Sequence, residues 1–204
     1  MKRLILTAAI LVLGIVNMMA SAKGGKLPYW QDPEVVQVNR LPMTATFRTG
    51  GLNLSLSGLW NFNWNETIDA RPLDFYRTDY SDAEWDKMPV PGMWELNGYG
   101  APVYKNMGYA WYGHYDNRPP FPAEEHNYVG QYRRTFELSE EWMGKDIFLH
   151  IGSATSNVRV WVNGKEVGYS EDSKLEAEFD KYYDMVVSLS RSKRLTIPAI
   201  KTMI

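Results

Sequence analysis

The sequence predicts an all-β fold built as an antiparallel sandwich, and three observations predict it. The first is Asn157–Ser170, where Val158, Val160 and Val162 alternate with Arg159 and Trp161 before Asn163-Gly164 and a return run through Val167 and Tyr169. Period-two alternation is the pattern of a strand with one buried face, and Asn-Gly accepts the positive φ values of a type I′ hairpin turn. The second is the recurrence of short alternating runs punctuated by Gly and Pro. The third is that no helical periodicity follows the amino-terminal apolar run. A lone hairpin is marginal in water, so the rest of the chain must supply further strands to cover its apolar face.

In chain order, Met1-Lys2-Arg3 is a positive start, Leu4–Val16 is apolar but too short to span a bilayer core of about 30 Å, and Ala20-Ser21-Ala22 is a small-x-small site. Together they read as a secretory signal peptide over 1–22, cut after Ala22, with an uncleaved anchor as the alternative. The expected location is therefore exported, periplasmic or secreted, with no membrane contact after cleavage. Residues 23–58 read as an extended arm and first strands, with Pro28, Pro33 and Pro42 breaking any long period. Leu59–Trp64 places Trp60, Phe62 and Trp64 on one face of a strand. Ser81 or Asp82 is positioned to cap a short helical turn through Trp85. Met88–Tyr104, rich in Pro and Gly, reads as a long structured loop. Gln131–Leu138 and Ile147–Ile151 read as two more strands. Short strands between Gly/Pro turns point to a β-sandwich or jelly roll over 59–180.

Composition narrows the chemistry. The 204 residues hold 45% hydrophobic and 14% aromatic side chains, including 8 Trp and 13 Tyr. Such aromatic content fits either sheet core and cross-strand pairs or a sugar-stacking surface. The net charge of -2 offers nothing to a nucleic acid or polyanion. The absence of Cys removes disulfides, zinc-thiolate sites, thiol nucleophiles and lipoprotein acylation. His114, His126 and His150 are scattered, with no pair at metal-ligand spacing.

Several motifs now fall in register. Leu59-Trp60-Asn61-Phe62 is followed by Val90-Pro91-Gly92-Met93-Trp94-Glu95 and by Gly98-Tyr99-Gly100-Ala101-Pro102-Val103-Tyr104-Lys105-Asn106. Then come Pro119-Pro120-Phe121-Pro122, Val129-Gly130-Gln131-Tyr132-Arg133-Arg134-Thr135-Phe136, Val160-Trp161-Val162-Asn163-Gly164 and Asp172–Asp180. From about Pro28 to Asp180 the chain closely resembles the N-terminal, galactose-binding-domain-like jelly roll of glycoside hydrolase family 2 β-galactosidases. The resemblance implies a non-catalytic domain of an enzyme that hydrolyses terminal β-galactosides with retention, using two glutamates about 5–5.5 Å apart. Those glutamates lie on a downstream barrel, so no residue here is implied as catalytic. Glu124-Glu125, Glu140-Glu141 and Glu176/Glu178 read as solvated surface. The implied substrate contacts are Asn106, whose amide pairs with vicinal hydroxyls, and its neighbour Met107.

The resemblance also implies a galactoside partner only within a whole enzyme, a homo-oligomeric parent, and no cofactor here, because the family's magnesium and sodium ligands lie past the matching region. After Asp180 the family's next strands and sodium-touching loop are not recognisable. Residues 181–204 carry Lys181, Arg191, Lys193, Arg194 and Lys201 against Asp184 alone. This reads as a divergent basic tail from a truncated or frameshifted reading frame, or as a natural variant ending, and implies a sandwich lacking its last strands. A stand-alone carbohydrate-binding module, with Trp111, Tyr112 and Tyr115 as its platform, and a non-functional remnant are the alternative readings.

Overall fold

The computed structural model describes residues 27–43, 51–101, 127–171, 174–180 and, for the backbone, 194–202. Nine strands occur among them: β1 (Gln37–Val38), β2 (Gly58–Asn65), β3 (Asp86–Val90), β4 (Val129–Glu137), β5 (Leu149–Ile151), β6 (Asn157–Val162), β7 (Lys165–Ser170), β8 (Ala177–Phe179) and β9 (Arg194–Thr202). Seven form one sheet in the order β1-β7-β6-β9-β4-β2-β3, and β5 and β8 form a second. All the pairings are antiparallel. The helical segments are three-residue 3₁₀ turns, Tyr29–Gln31, Glu95–Asn97 and Glu140–Trp142.

The β6–β7 hairpin forms as its sequence dictates. Asn163 and Gly164 take φ of 49° and 82°, the two positive values of the type I′ turn. Val160 faces Gly168 while Trp161 faces Glu166, so Val167 is the extra residue of a bulge. Val158, Val160, Val162 and Val167 point into the main core with Trp60, Leu149, Ala177 and Phe179, and that core lies between the two sheets. The architecture is thus an antiparallel β-sandwich.

Gly168 explains how closely the layers approach. A Cβ there would lie 2.5 Å from the Phe179 ring and from the Val38 carbonyl. With only hydrogen at this position, β8 packs onto β7 and the amino-terminal arm closes over both. The arm then ties the sheets together: Val38 pairs with Tyr169, Arg40 bridges to Phe179, and the Leu41 N–H donates to the Glu178 carbonyl.

The outer face of the large sheet is covered as well, by residues 66–85. Phe75 packs with Val129 and Trp161, and Tyr76 stacks on Trp161 at 5.6 Å. A polar row on β4 anchors this cover. Gln131 donates to the Pro72 carbonyl and accepts from Asn63. Arg133, 4% exposed, donates to Asp82 and to the carbonyls of Phe75, Arg77 and Tyr80.

Two readings of the sequence change here. Met88–Tyr104 was expected to be loop throughout, yet β3 pairs with β2, placing Pro89 opposite Leu59. Proline is tolerated because β3 is the sheet edge, where the missing N–H faces no partner strand. The sandwich was expected to end at 180, with 181–204 a divergent tail and the last strands missing. Arg194–Thr202 instead forms β9 in the middle of the sheet, between β4 and β6. Pro198 interrupts the alternation of Leu195, Ile197 and Ala199, which hid the strand. The β6–β9 ladder runs from Asn157/Thr202 to Val160/Ala199 and stops before Pro198 would have to donate to it.

These packing relations set a mutational contrast. Val160 is 1% exposed in the core, so Val160→Asp buries an unpaired carboxylate and is expected to cost more than about 4 kcal/mol. Arg159 lies on the opposite face, half-buried, bonded to Glu166 and placed over Tyr29 and Trp161. Arg159→Asp should cost about 1 kcal/mol, since the ion pair is partly solvent-screened. Urea unfolding of the two variants measures the difference, and equal losses would place Val160 on the wrong face.

Candidate functional site

The residues that build the candidate site are those from which the Gly98–Asn106 segment springs. β2, β3 and β4 present Phe62, Met88 and the Tyr132 ring toward the same layer as the main core. Trp94 drops into this cluster, and Trp64, Tyr99 and Tyr128 pack around it. Trp94 fits because β4 has glycine beneath it. A Cβ on Gly130 would sit 2.5 Å from the Trp94 ring and 2.8 Å from Phe62. The indole N–H of Trp94 donates to the Tyr132 hydroxyl at 2.5 Å, so the polar edge of the ring is satisfied where it is buried.

The chain then turns tightly on that anchor. The amides of Asn97 and Tyr99 both donate to the Trp94 carbonyl, at 2.9 and 3.1 Å. The Asn97 side chain donates back to the Met93 carbonyl at 2.7 Å. Gly98 and Gly100 take φ of 90° and 70°, a region glycine enters without steric cost. Between them Tyr99 packs edge-on against Phe62 at 4.9 Å, and its hydroxyl donates to Asp86 of β3 at 2.8 Å. Gly100 lies against Tyr128 and Trp64. Gly98–Ala101 therefore lies on an aromatic floor.

Burial is the larger cause, and the Asp86 hydrogen bond the second, of a Tyr99 phenol pushed up to about 12. Burial likewise pushes the Tyr132 phenol up to about 12. Both therefore remain donors or neutral acceptors throughout the physiological range.

The predicted substrate contacts Asn106 and Met107 lie outside the described residues, as do Trp111, Tyr112, Tyr115, His114, His126, Glu124 and Glu125 and the signal peptide over 1–22. Glu140 and Glu141 are exposed in their 3₁₀ turn. Glu178 meets His150 Nδ1 at 2.9 Å, and Glu176 faces His150 Nε2 at 3.7 Å. Among the described residues no three His, Asp or Glu side chains converge as metal ligands. No helix among them is long and apolar enough to cross a membrane. Most of the described aromatic side chains are buried or half-buried, in line with the core reading of the aromatic content; Phe148 is exposed.

Sequence reasoning named the Gly98–Asn106 motif but not the pieces that hold it. Trp94 stands far in the chain from Gly130 and Tyr132, and the signal available was Gly130 itself, a glycine inside a strand pattern, which often marks close approach by another group.

A family model described as glycosyl hydrolases family 2, sugar binding domain, matches residues 54–200. The chain belongs to glycosyl hydrolase family 2. The match takes in most of β9, so the strand that the sequence hid lies within the family domain. The chain is 35% identical over 175 residues to a β-galactosidase of Priestia megaterium, covering 78% of this chain and 17% of that protein. It is 38% identical over 176 residues to the β-galactosidase large subunit of Leuconostoc lactis, covering 76% and 28%. A β-galactosidase of Halalkalibacterium halodurans shares 40% over 162 residues, covering 74% and 16%. The chain thus spans well under a third of the length of these relatives. Among solved structures, a β-glucuronidase of an uncultured Clostridium sp. superposes with a TM-score of 0.52 at 16% identity, covering 78% of this chain and 24% of that one. A Bacteroides uniformis β-glucuronidase gives 0.50 at 18%, covering 72% and 14%. At such identities the likeness bears on the fold alone.

The Tyr132 phenol yields a pH prediction. A phenol whose folded-state value is raised from 10 to about 12 binds its proton more tightly in the folded protein. Its contribution is complete below pH 10 and is lost as pH rises toward about 12. Melting temperatures over that window should fall less steeply in Tyr132→Phe than in the unaltered protein. Parallel declines would remove Tyr132 as the source.

Proposed function

We propose that this chain is the sugar-binding sandwich domain of a β-galactosidase-type family 2 glycoside hydrolase, whose parent reaction is hydrolysis of terminal β-D-galactosides. The domain has no catalytic part in that reaction. Its part is to hold the Gly98–Asn106 segment against the galactose site of a catalytic domain, where Asn106 hydrogen-bonds sugar hydroxyls and Met107 lines the pocket. The observation that carries this reading is the rigid base of that segment: Trp94 seated on Gly130, Tyr99 tied to Asp86, and two glycines at positive φ. Binding energy at such a contact raises turnover only if the partner atom is held in place before the transition state forms. Curated relatives named β-galactosidase, 35–40% identical, support the galactoside as substrate.

The test is a fusion of residues 23–204 to the remaining domains of a family 2 β-galactosidase. In that fusion Asn106→Ala should lower kcat/KM by about 2- to 13-fold, the equivalent of about 0.5–1.5 kcal/mol for a hydrogen bond to an uncharged hydroxyl. The melting temperature should stay unchanged. The chain alone should neither turn over a chromogenic β-galactoside nor bind millimolar galactose. Unaltered kcat/KM in the variant, or galactose binding by the chain alone, would count against the proposal, and the second result would favour a stand-alone carbohydrate-binding module.

We also infer export, because Met1–Ala22 has the charge, apolar run and small-residue site of a signal peptide. Mass spectrometry of the protein from the producing cell should find Lys23 at the amino terminus. An intact Met1 would refute cleavage.

A further inference from the structure

We propose that Asn97-Gly98 is a deamidation site, which converts an amide at the base of the Gly98–Asn106 segment to a carboxylate as the protein ages. The sequence holds two Asn-Gly pairs within the described residues, Asn97-Gly98 and Asn163-Gly164, and the fold treats them differently. In the reaction the Gly98 backbone nitrogen attacks Asn97 Cγ. A new N–C bond forms, the bond from Cγ to the side-chain nitrogen breaks, and ammonia leaves with the amide proton. Water then opens the cyclic imide at either carbonyl, giving aspartate or isoaspartate. No oxidant or further reactant is needed.

The attack requires an uncrowded nitrogen and room for the Asn side chain to swing over it. Both Asn97 and Gly98 are exposed, and no atom lies within 4 Å of where a Gly98 Cβ would be. Asn97 sits at the end of a three-residue 3₁₀ turn, held by one side-chain hydrogen bond to the Met93 carbonyl. By contrast, Asn163-Gly164 is clamped between Val162 and Lys165, which pair across β6 and β7. Its glycine also packs near Thr78 and the Tyr76 carbonyl. The turn residues there are half-buried.

The product has a structural consequence. The Asn97 amide donates to the Met93 carbonyl at 2.7 Å. A carboxylate in its place presents an acceptor to an acceptor, so the contact becomes repulsive. Glu95, two residues earlier in the same turn, adds like charge. Conversion at Asn97 therefore loosens the turn that sets Gly98, Tyr99 and Gly100 on their aromatic floor.

Purified protein would be held for days at mildly alkaline pH, native and in guanidinium, and isoaspartate mapped by peptide mass spectrometry and isoaspartyl methyltransferase labelling. In the native protein modification should accumulate at Asn97 several-fold faster than at Asn163. In guanidinium the two should react at similar rates, because only the fold distinguishes them. Asn97→Gln, which keeps the amide but disfavours ring closure, should abolish the Asn97 signal while leaving the melting temperature near that of the unaltered protein. Native reaction at Asn163 as fast as at Asn97, or no reaction at Asn97 when the denatured chain reacts at both, would overturn the proposal.

Discussion

Arg133 is a cation with almost no water. Its guanidinium is 4% exposed, and desolvating a charge is costly unless every donor is used. Asp82 supplies the opposite charge at 3.0 Å, and the carbonyls of Phe75, Arg77 and Tyr80 take three of the other four N–H groups. All four partners lie within residues 75–82. One side chain on β4 thereby fixes the course of a segment that has no regular hydrogen bonding of its own. That segment carries Phe75 and Tyr76, which cover Trp161 and Val129. Were Arg133 unsatisfied, the outer face of the sheet would present these rings to solvent. The sandwich thus has a dry core on one face and a polar clamp with an aromatic lid on the other.

The same strand serves the candidate site through its alternate residues. Gln131 and Arg133 point outward to the clamp, while Gly130 and Tyr132 point inward to Trp94. Pleat alternation makes these two jobs independent at the side chains but coupled at the backbone. β4 is also the strand that β2 and β9 flank, so its position is set from both sides. The turn that follows Trp94 rests on that scaffold. Functional loops on rigid scaffolds follow this logic generally. A second consequence is that the least protected part of the site is its outer turn, Glu95–Asn97, which leans on the scaffold through short-range hydrogen bonds alone.

Much of this protein was legible in local pattern. The β6–β7 hairpin follows from three valines in alternation and an Asn-Gly turn, because both signals act over a few residues and agree with each other. The β2 and β4 strands follow from the same period. The family membership rests on motifs whose order and spacing survive in the sequence. What escaped was strand identity wherever proline stood in the run. β3 and β9 each contain proline, and local propensity argues against both. Whether proline is tolerated depends on whether a partner strand needs its N–H, and that is a property of the sheet, not of the segment.

The sequence by itself determined the all-β class and the hairpin with its positive-φ turn. These are short-range matters of periodicity and backbone sterics. The tertiary structure alone decided that Pro89 sits on an edge, that residues 194–202 return to the middle of the sheet, and that Arg133 can be buried. It also decided that Gly130 lies beneath Trp94. Each of those outcomes needs partners 30 to 73 residues away, and no local pattern encodes which hydrogen bonds or ring contacts will be waiting there.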